Sequence, residues 1–210
     1  MATMGRPRTF DRDNAIEEAM YLFWEKGYES TSLSELKAGI GKGISAPSFY
    51  AAFGSKEALF RECVQRYLST FGRVVEPLWD DDLPPRNAIE TALRLSASMQ
   101  CEAGHPKGCM VGLGVMSATS AGHAAVIEPL TKSRERTRAG IARNIQRGTD
   151  SGELSKKTDI IALTTSFDAF LLGLSTLARD GVSISDMNNS ITTIMSIWDA
   201  YALRSLKGND

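Results

Sequence analysis

The chain has 210 residues, of which 42% are hydrophobic and 23% charged, a composition typical of globular rather than disordered proteins. Its formal net charge of −1 provides no bulk positive field that would favour nucleic acid or a membrane surface. Three cysteines do not make a disulfide framework, and the first residues lack the apolar segment of a signal peptide. We therefore expect a cytoplasmic protein with reduced thiols.

Three short helices are predicted in the first part of the chain. Apolar residues follow helical spacing from Ile16 to Phe23, with Asp11 as a candidate N-cap and Gly27 as a stop. The sequence 32–35, Ser-Leu-Ser-Glu, is a capping box that opens a second helix. After a glycine-rich stretch, the sequence 45–47, Ser-Ala-Pro, starts a third helix with proline in its first turn. Helices joined by such a turn are typical of a helix-turn-helix.

The rest of the chain is also helical in pattern. A longer helix is expected from Lys56 to about Val75, and the acidic, proline-bearing segment 80–85 reads as a linker. No stretch shows the sustained two-residue alternation of strands, so the fold class is all-α. We predict a helix-turn-helix domain at 1–55 with a linking helix at 56–76, followed by a helical-bundle domain at 77–210. Five further helices are expected in that bundle, at 89–100, 109–119, 127–145, 160–178 and 187–201.

One apolar segment tests whether the chain crosses a membrane. Residues Ile160 to Ala178 approach the length of a bilayer-spanning helix. Asp168 interrupts this segment, and a carboxylate at mid-span would cost at least ~2.5 kcal/mol. A helix buried inside a helical bundle is the preferred interpretation, and no membrane partner is expected.

The third helix is suited to the major groove of DNA. Phe49 and Phe53 are four residues apart and can pack inward, which leaves the other side chains of this helix, Ser48, Tyr50, Ala51 and Ala52, more outward. Small outward side chains allow the helix backbone to approach base edges closely, and alanine can contact a thymine methyl group. The helix lacks Arg, Asn or Gln for bidentate base contacts, so we expect DNA shape or Lys37 and Lys42 to contribute to recognition.

The run Phe49 to Phe60, FYAAFGSKEALF, resembles the signature of TetR/AcrR-type transcriptional regulators. The resemblance extends over about Thr9 to Val64. It implies a homodimeric DNA-binding regulator, usually a repressor that a small molecule in the C-terminal domain releases from its operator. One departure concerns the segment between Leu36 and Gly43, which is about two residues longer than usual and either extends the second helix or loops out the turn.

The motif match also assigns positions that face double-stranded DNA. Arg6 and Arg8 precede the first helix as either a disordered tail or an arm for the minor groove. Up to Phe60 the chain has seven Lys and Arg against eight Asp and Glu, so weak nonspecific binding with a modest salt dependence is expected. The complete set of DNA-facing candidates is Arg6, Arg8, Ser32, Lys37, Lys42, Ser45, Ala46, Ser48, Tyr50 and Lys56.

The resemblance implies that the C-terminal bundle binds the effector and forms the dimer. Methionine and aromatic residues at helical spacing form a core more often than a pocket, and both interpretations stay open. The predicted effector pocket consists of Met99, Cys101, Cys109, Met110, Leu113, Met116, Phe167 and Phe170. An ordinary intramolecular core is the alternative for about a third of the apolar residues on the last two helices, and the resemblance favours an interface. The predicted dimer interface consists of Leu171, Leu174, Ile191, Ile194, Met195, Trp198 and Tyr201.

Cys101, His105 and Cys109 recur at four-residue intervals and raise two chemical hypotheses. The first is a metal site for zinc or cuprous copper, but the intervening glycines and proline break any helix that would align these side chains, so no metal or cofactor is predicted. The second is a reactive Cys109 thiol at a helix start beside Lys107. Some TetR-like regulators sense oxidants through a cysteine after a similar glycine. A buried, inert Cys109 is the third interpretation, and Cys63 is interpreted as structural.

Other function classes find little support in the sequence. The chain has no G-x-S-x-G, no H-E-x-x-H and no phosphate-binding loop, so an enzyme is not expected. A protein-binding helical adaptor would have no need of the recognition helix. We therefore predict a ligand-responsive transcriptional regulator that binds a near-palindromic operator.

Overall fold

The computed structural model describes residues 10–117 and 121–207, and its regular secondary structure there is entirely helical, which confirms the all-α prediction. The α-helices are α1 (Arg12–Lys26), α2 (Leu33–Gly39), α3 (Ala46–Phe53), α4 (Lys56–Ser69), α5 (Pro85–Cys101), α6 (Met110–Ser117), α7 (Ala124–Asp150), α8 (Ile160–Arg179) and α9 (Ile184–Lys207). Two 3₁₀ segments occupy Phe71–Trp79 and Ala121–His123.

The ends of the first helices are fixed by the caps that the sequence predicts. The Asp11 side chain accepts a hydrogen bond from the backbone N–H of Asn14 at 3.0 Å, which satisfies one free donor at the start of α1. Gly27 ends α1 with a φ of 80°. Ser32 and Glu35 form both hydrogen bonds of the capping box at α2. These local signals define the helix-turn-helix before any tertiary contact is considered.

Helices α1 and α4 pack together around a cluster of aromatic rings. Phe23 and Phe60 meet edge to face with ring centroids 5.0 Å apart, and Trp24 and Tyr67 do so at 4.8 Å. All four side chains are buried, so the cluster holds α4 firmly against the DNA-binding module. The thiol of Cys63 donates to the carbonyl of Ile16 at 3.5 Å, and burial raises the pKa of this thiol, as suits a structural residue.

The segment that links the two parts of the molecule is not one continuous α-helix. We predicted a helix from Lys56 to about Val75, but α4 ends at Ser69 and the chain continues as the 3₁₀ segment Phe71–Trp79. The Thr70 hydroxyl donates to the Arg66 carbonyl at 2.7 Å, and Pro77 has no backbone N–H to continue an α-helix. The 3₁₀ segment packs against α5, so the linker is fixed to the bundle.

Helices α5, α7, α8 and α9 form a second core. Trp198 lies fully buried in it against Gly148, where an added Cβ would stand 2.8 Å from the indole. Helix α8 is long and apolar enough to cross a membrane by length and composition alone. Its Asp168 is buried and ion-paired with Arg138 at 2.7 Å, and the helix packs against α5, α6 and α7. In this fold α8 packs within the bundle, but only 33% of its most apolar 18-residue stretch is buried, less than the burial on most faces that we predicted.

Candidate nucleic-acid interface and effector cavity

The longer turn between α2 and α3 is looped out, since α2 ends at Gly39. Gly41, Lys42 and Gly43 all have positive φ, at 58°, 63° and 91°. The Glu18 carboxylate accepts a hydrogen bond from the backbone N–H of Gly41 at 2.7 Å, so α1 holds the turn in place. This contact joins residues 23 positions apart, and no local sequence signal predicts it.

Helix α3 presents most of the predicted outward face, but Ala52, also predicted to point outward, is partly buried and packs against the module core. Phe49 and Phe53 are buried against the module core, whereas Ser48, Tyr50 and Ala51 are exposed. The side chain of Tyr50 is among the most exposed large side chains described, at 50%. A helix with short side chains around one projecting tyrosine fits the width of a major groove and can reach a phosphate from its edge.

Two predicted DNA-facing serines act as helix caps. The Ser45 oxygen accepts from the backbone N–H of Ser48 at 3.2 Å, and the Ser32 oxygen accepts from that of Glu35 at 3.1 Å. A hydrogen bond from Lys26 is the largest of several contacts that lower the pKa of Glu35 to about 2. The Glu35 carboxylate, which completes the capping box of α2, is therefore ionised at neutral pH. The Ser45 hydroxyl also lies 2.9 Å from the Ser48 hydroxyl, and one of these two hydroxyls keeps a proton that can be donated to a phosphate.

Lys56 stands at the start of α4, next to the recognition helix. Its ammonium lies 4.3 Å from the centre of the Tyr28 ring, in the geometry of a cation–π contact. Burial lowers the pKa of this ammonium, while the nearby carboxylates of Glu57, Glu29 and Glu35 raise it. The side chain remains partly exposed, so it can contact a phosphate beside the N-terminus of α4.

The remaining residues predicted to face DNA differ in their exposure to solvent. Lys42 is exposed in the turn, and Lys37 and Ala46 are half-buried. Arg6 and Arg8 lie outside the described residues. Arg12 was not predicted as a contact, and it is bound to the Glu62 carboxylate through two hydrogen bonds of 2.8 and 2.6 Å.

Several acidic side chains of α1 are engaged within the molecule. Glu17 accepts from the Tyr21 hydroxyl at 2.9 Å, Glu18 holds the turn, and Glu25 lies 3.6 Å from Arg179 of the bundle. Glu29 lies 3.0 Å from His123. These contacts reduce the negative field of a module that has slightly more acids than bases.

A cavity lies in the bundle beneath the linker. Its volume is about 50 Å³, and its wall is mostly apolar with a few buried polar groups. The lining residues are Tyr67, Gly72, Val74, Val75, Ser96, Met99, Gln100, Cys109, Val111, Gly112, Ser133, Arg134, Thr137, Asp168, Leu171, Leu172 and Ser175.

The predicted pocket residues are spread over several places. Met99 and Cys109 line this cavity, whereas Leu113 and Met116 line an open cleft beside the end of α1. Phe170 lies in a surface depression between α8 and α9. The other three have separate surroundings: Met110 and Phe167 are buried in the two cores, and Cys101 contacts Met187. Sequence reasoning did not identify Tyr67, Gln100 or Asp168, because only the tertiary fold brings them to one cavity.

Cys109 is the N-terminal neighbour of α6. Its sulfur accepts hydrogen bonds from the Tyr67 hydroxyl at 3.3 Å and from the backbone N–H of Gly112 at 3.5 Å. Burial, together with the neighbouring Cys109, raises the pKa of Tyr67 well above its usual value. The Lys107 ammonium, expected beside the thiol, instead donates to the carbonyls of Cys101 and Glu102 at the end of α5.

The proposed Cys101, His105 and Cys109 metal cluster is not assembled. His105 stacks on Trp24 with ring centroids 4.6 Å apart, and its Nδ1 lies 2.9 Å from the carbonyl of Pro106. Cys101 and Cys109 have separate partners on Met187 and Tyr67. Among the described residues, no group of three His, Cys, Asp or Glu side chains is arranged to hold a metal ion.

The predicted dimer residues divide into two groups. Leu174, Ile191, Met195 and Trp198 are fully buried within the single chain, so their side chains have no surface left to offer a partner. Leu171, Ile194 and Tyr201 are partly exposed. The apolar surface of α8 and α9 is therefore narrower than the sequence pattern indicates, and it also includes Phe170 and Ile197.

Comparison with known proteins agrees with this architecture. The family model for bacterial regulatory proteins of the tetR family matches residues 15–63. The transcriptional repressor ComR of Escherichia coli K12 is 30% identical over 197 residues, covering 92% of this chain and 91% of ComR. The repressor BdcR of the same organism is 36% identical over 113 residues, covering 54% and 56% of the two chains.

A solved structure extends the similarity to three dimensions. A cysteine-substituted TetR-family regulator, CifR, complexed with a 26-bp double-strand operator DNA, is 34% identical with a TM-score of 0.79. The match covers 92% of this chain and all of that one. The fold and its helix-turn-helix define a DNA-binding transcriptional regulator rather than an enzyme. The chain belongs to the tetR family of bacterial regulatory proteins.

Proposed function

We propose that this protein is a cytoplasmic, homodimeric repressor that binds a near-palindromic operator and is released from it by a small-molecule or oxidant effector. The observation that carries the DNA-binding part is the exposed face of α3, where Tyr50 projects from a surface of short side chains. Repression is supported by the similarity to ComR and BdcR, and binding to double-stranded DNA by the operator complex of CifR.

Dimerisation is supported by the partly exposed apolar residues of α8 and α9. Phe170, Ile194 and Ile197 meet at the surface between these two helices. The same surface on a second copy would make a symmetric four-helix contact. A dimer can place two recognition helices about 34 Å apart, which is one turn of DNA.

Effector release is supported by the cavity and its position. Met99 and Gln100 line it from α5, and Cys109 lines it at the start of α6. A ligand that binds here more tightly in one arrangement of the bundle would shift the spacing between the two recognition helices. Since half-sites sit at a fixed separation on DNA, a shift of a few ångströms is enough to weaken operator binding.

The experiment that tests the regulatory function is capture of genomic fragments by the purified protein, followed by sequencing. A shared palindrome among the captured fragments would support a specific operator-binding regulator. Capture without sequence enrichment, both with and without cell extract as a source of effector, would contradict it.

Tyr50→Ala should weaken operator binding by roughly 1–2 kcal/mol, because an exposed hydroxyl that contacts phosphate is lost. The loss should be similar across operator sequences, since phosphate contacts carry no base information. Fluorescence anisotropy with a captured operator measures the change. Tyr50→Phe is the matched control: it keeps the ring and should reproduce the loss if the hydroxyl makes the contact. Unchanged binding by both variants would remove Tyr50 from the interface.

Cys109→Ser should abolish release of the protein from its operator by a mild oxidant such as hydrogen peroxide, if the effector is an oxidant. The sulfur lies in the cavity wall and is the atom that an oxidant would modify. Cys101→Ser is the control, since that thiol faces Met187 outside the cavity wall. Electrophoretic mobility shift with and without oxidant distinguishes the two. Oxidant-triggered release that survives in the Cys109 variant would exclude Cys109 as the sensor.

A further inference from the structure

We propose that the bundle cavity binds a small, neutral molecule with an apolar body and a hydrogen-bond donor, such as an alcohol, and that Gln100 selects this donor. The inference rests on the proposed function only for the step that leads from binding to DNA release.

Gln100 has an unmet hydrogen-bonding requirement. The residue is 1% exposed, it lines the cavity, and its side-chain Oε1 is buried without a partner among the described residues. The backbone carbonyl of Gln100 accepts from Gly108, so the main chain is already satisfied. Buried acceptors are nearly always paired in folded proteins, and an unpaired one lowers stability. A ligand that donates a hydrogen bond to Oε1 would remove this penalty.

The other polar groups of the wall favour the same kind of ligand. Asp168 is buried, and its Oδ2 accepts from Arg138 at 2.7 Å, while Oδ1 accepts no hydrogen bond from the described residues. The Arg138 guanidinium balances the charge, so a cationic ligand is not required. Ser96 and Ser175 are buried in the wall, and their hydroxyls can accept as well as donate a hydrogen bond. Gln100 Oε1 and Asp168 Oδ1 can only accept, so the described wall offers two such oxygens to a donor on the ligand.

The apolar part of the wall and the volume limit the size of the ligand. Val74, Val75, Val111 and Leu172 provide an apolar surface around the polar groups. The volume of about 50 Å³ is well below the ~150 Å³ of an engineered cavity that admits benzene. A molecule of a few non-hydrogen atoms fits this space, and movement of the flexible Met99 side chain would enlarge it.

The test compares two probes that differ in donor capacity but hardly in size. Propan-2-ol and acetone have the same number of non-hydrogen atoms, and only the alcohol can donate a hydrogen bond. Binding is measured without DNA by ¹H–¹⁵N NMR titration of the wild-type protein, following the side-chain amide resonance of Gln100. We expect the alcohol to bind roughly five- to tenfold more tightly, the worth of one hydrogen bond to a neutral group, and to shift that resonance.

Gln100→Met removes the amide and keeps a side chain of similar length. This variant should bind both probes equally, and its melting temperature should be unchanged or higher because an unpaired buried acceptor is gone. Gln146→Met is the matched control, since Gln146 is exposed on α7 and bonds only to Asp150. The control should retain the preference for the alcohol.

Three results would overturn the proposal: equal binding of alcohol and ketone by the wild type, no binding of either, or a preference that persists in Gln100→Met. If that variant does not fold, the wild-type comparison and the amide resonance still decide the matter. Release from a captured operator is measured separately with the same alcohol. Binding that depends on Gln100 but leaves the operator complex intact would support the ligand site and contradict only the effector step.

Discussion

Replacing Ile194 with arginine should leave the protein monomeric and lower its operator affinity about 100-fold or more. Ile194 is partly exposed on α9, beside Phe170 and Ile197. In a symmetric dimer each subunit would bring one arginine into the apolar contact. Both guanidinium groups would lose hydration water without gaining an oppositely charged partner. Two unlinked recognition helices then bind their half-sites independently and lose the effective concentration that a dimer provides, which is worth 10²–10⁴ in affinity.

Analytical ultracentrifugation and operator titration measure the two effects separately. Leu95→Arg is the matched control, because Leu95 is an exposed leucine on α5 and lies outside the α8–α9 surface. The control should remain dimeric with wild-type affinity. A dimeric Ile194→Arg variant that still binds its operator tightly would place the subunit contact elsewhere on the molecule.

The local parts of this fold are predictable from sequence because each is determined by residues a few positions apart. The Asp11 cap, the capping box from Ser32 to Glu35 and the inward pair Phe49 and Phe53 all appear as predicted. The resemblance to a known family added the function of the module, which helical spacing alone does not reveal.

The features that sequence reasoning missed depend on distant contacts. The turn before α3 is held by Glu18, and the cavity combines Tyr67, Gln100 and Asp168 from three helices. The apolar pattern of α8 and α9 predicted a wide dimer interface. Such a pattern alone does not tell whether an apolar side chain packs against a second subunit or against the rest of its own chain. Trp198 illustrates this, since the glycine at 148 leaves room for its ring inside the monomer.

The two halves of the molecule are joined by Arg179, and its replacement should have the second large effect. The guanidinium donates to the carbonyls of Trp24 at 2.7 Å, Glu25 at 3.0 Å and Lys107 at 2.9 Å. The first two carbonyls belong to the last turn of α1, where a positive charge is favourable. The third belongs to the loop between α5 and α6, which lies between Gln100 and Cys109 of the cavity wall. Arg179 therefore connects the helical bundle to the first helix of the DNA-binding module.

Arg179→Met should lower the free energy of unfolding by about 2–4 kcal/mol, because three hydrogen bonds from a charged donor are lost. It should also reduce effector-induced release from the operator, since three of the hydrogen bonds that tie α1, the loop and α8 together would be lost, and the loop would contact α1 chiefly through the Trp24 indole, which donates to the Gly108 carbonyl at 3.1 Å and stacks on His105. Urea unfolding and a release titration measure the two results. Arg86→Met is the control. The Arg86 side chain is about as exposed as that of Arg179, but it binds only Glu90 and Asp199 and none of the three carbonyls that Arg179 contacts. That variant should lose some stability and keep a normal release curve. If Arg179→Met also keeps a normal release curve, Arg179 does not carry the signal, which then passes through other contacts between the module and the bundle, such as Trp24 with Gly108 or α4 with the linker at Phe71–Trp79.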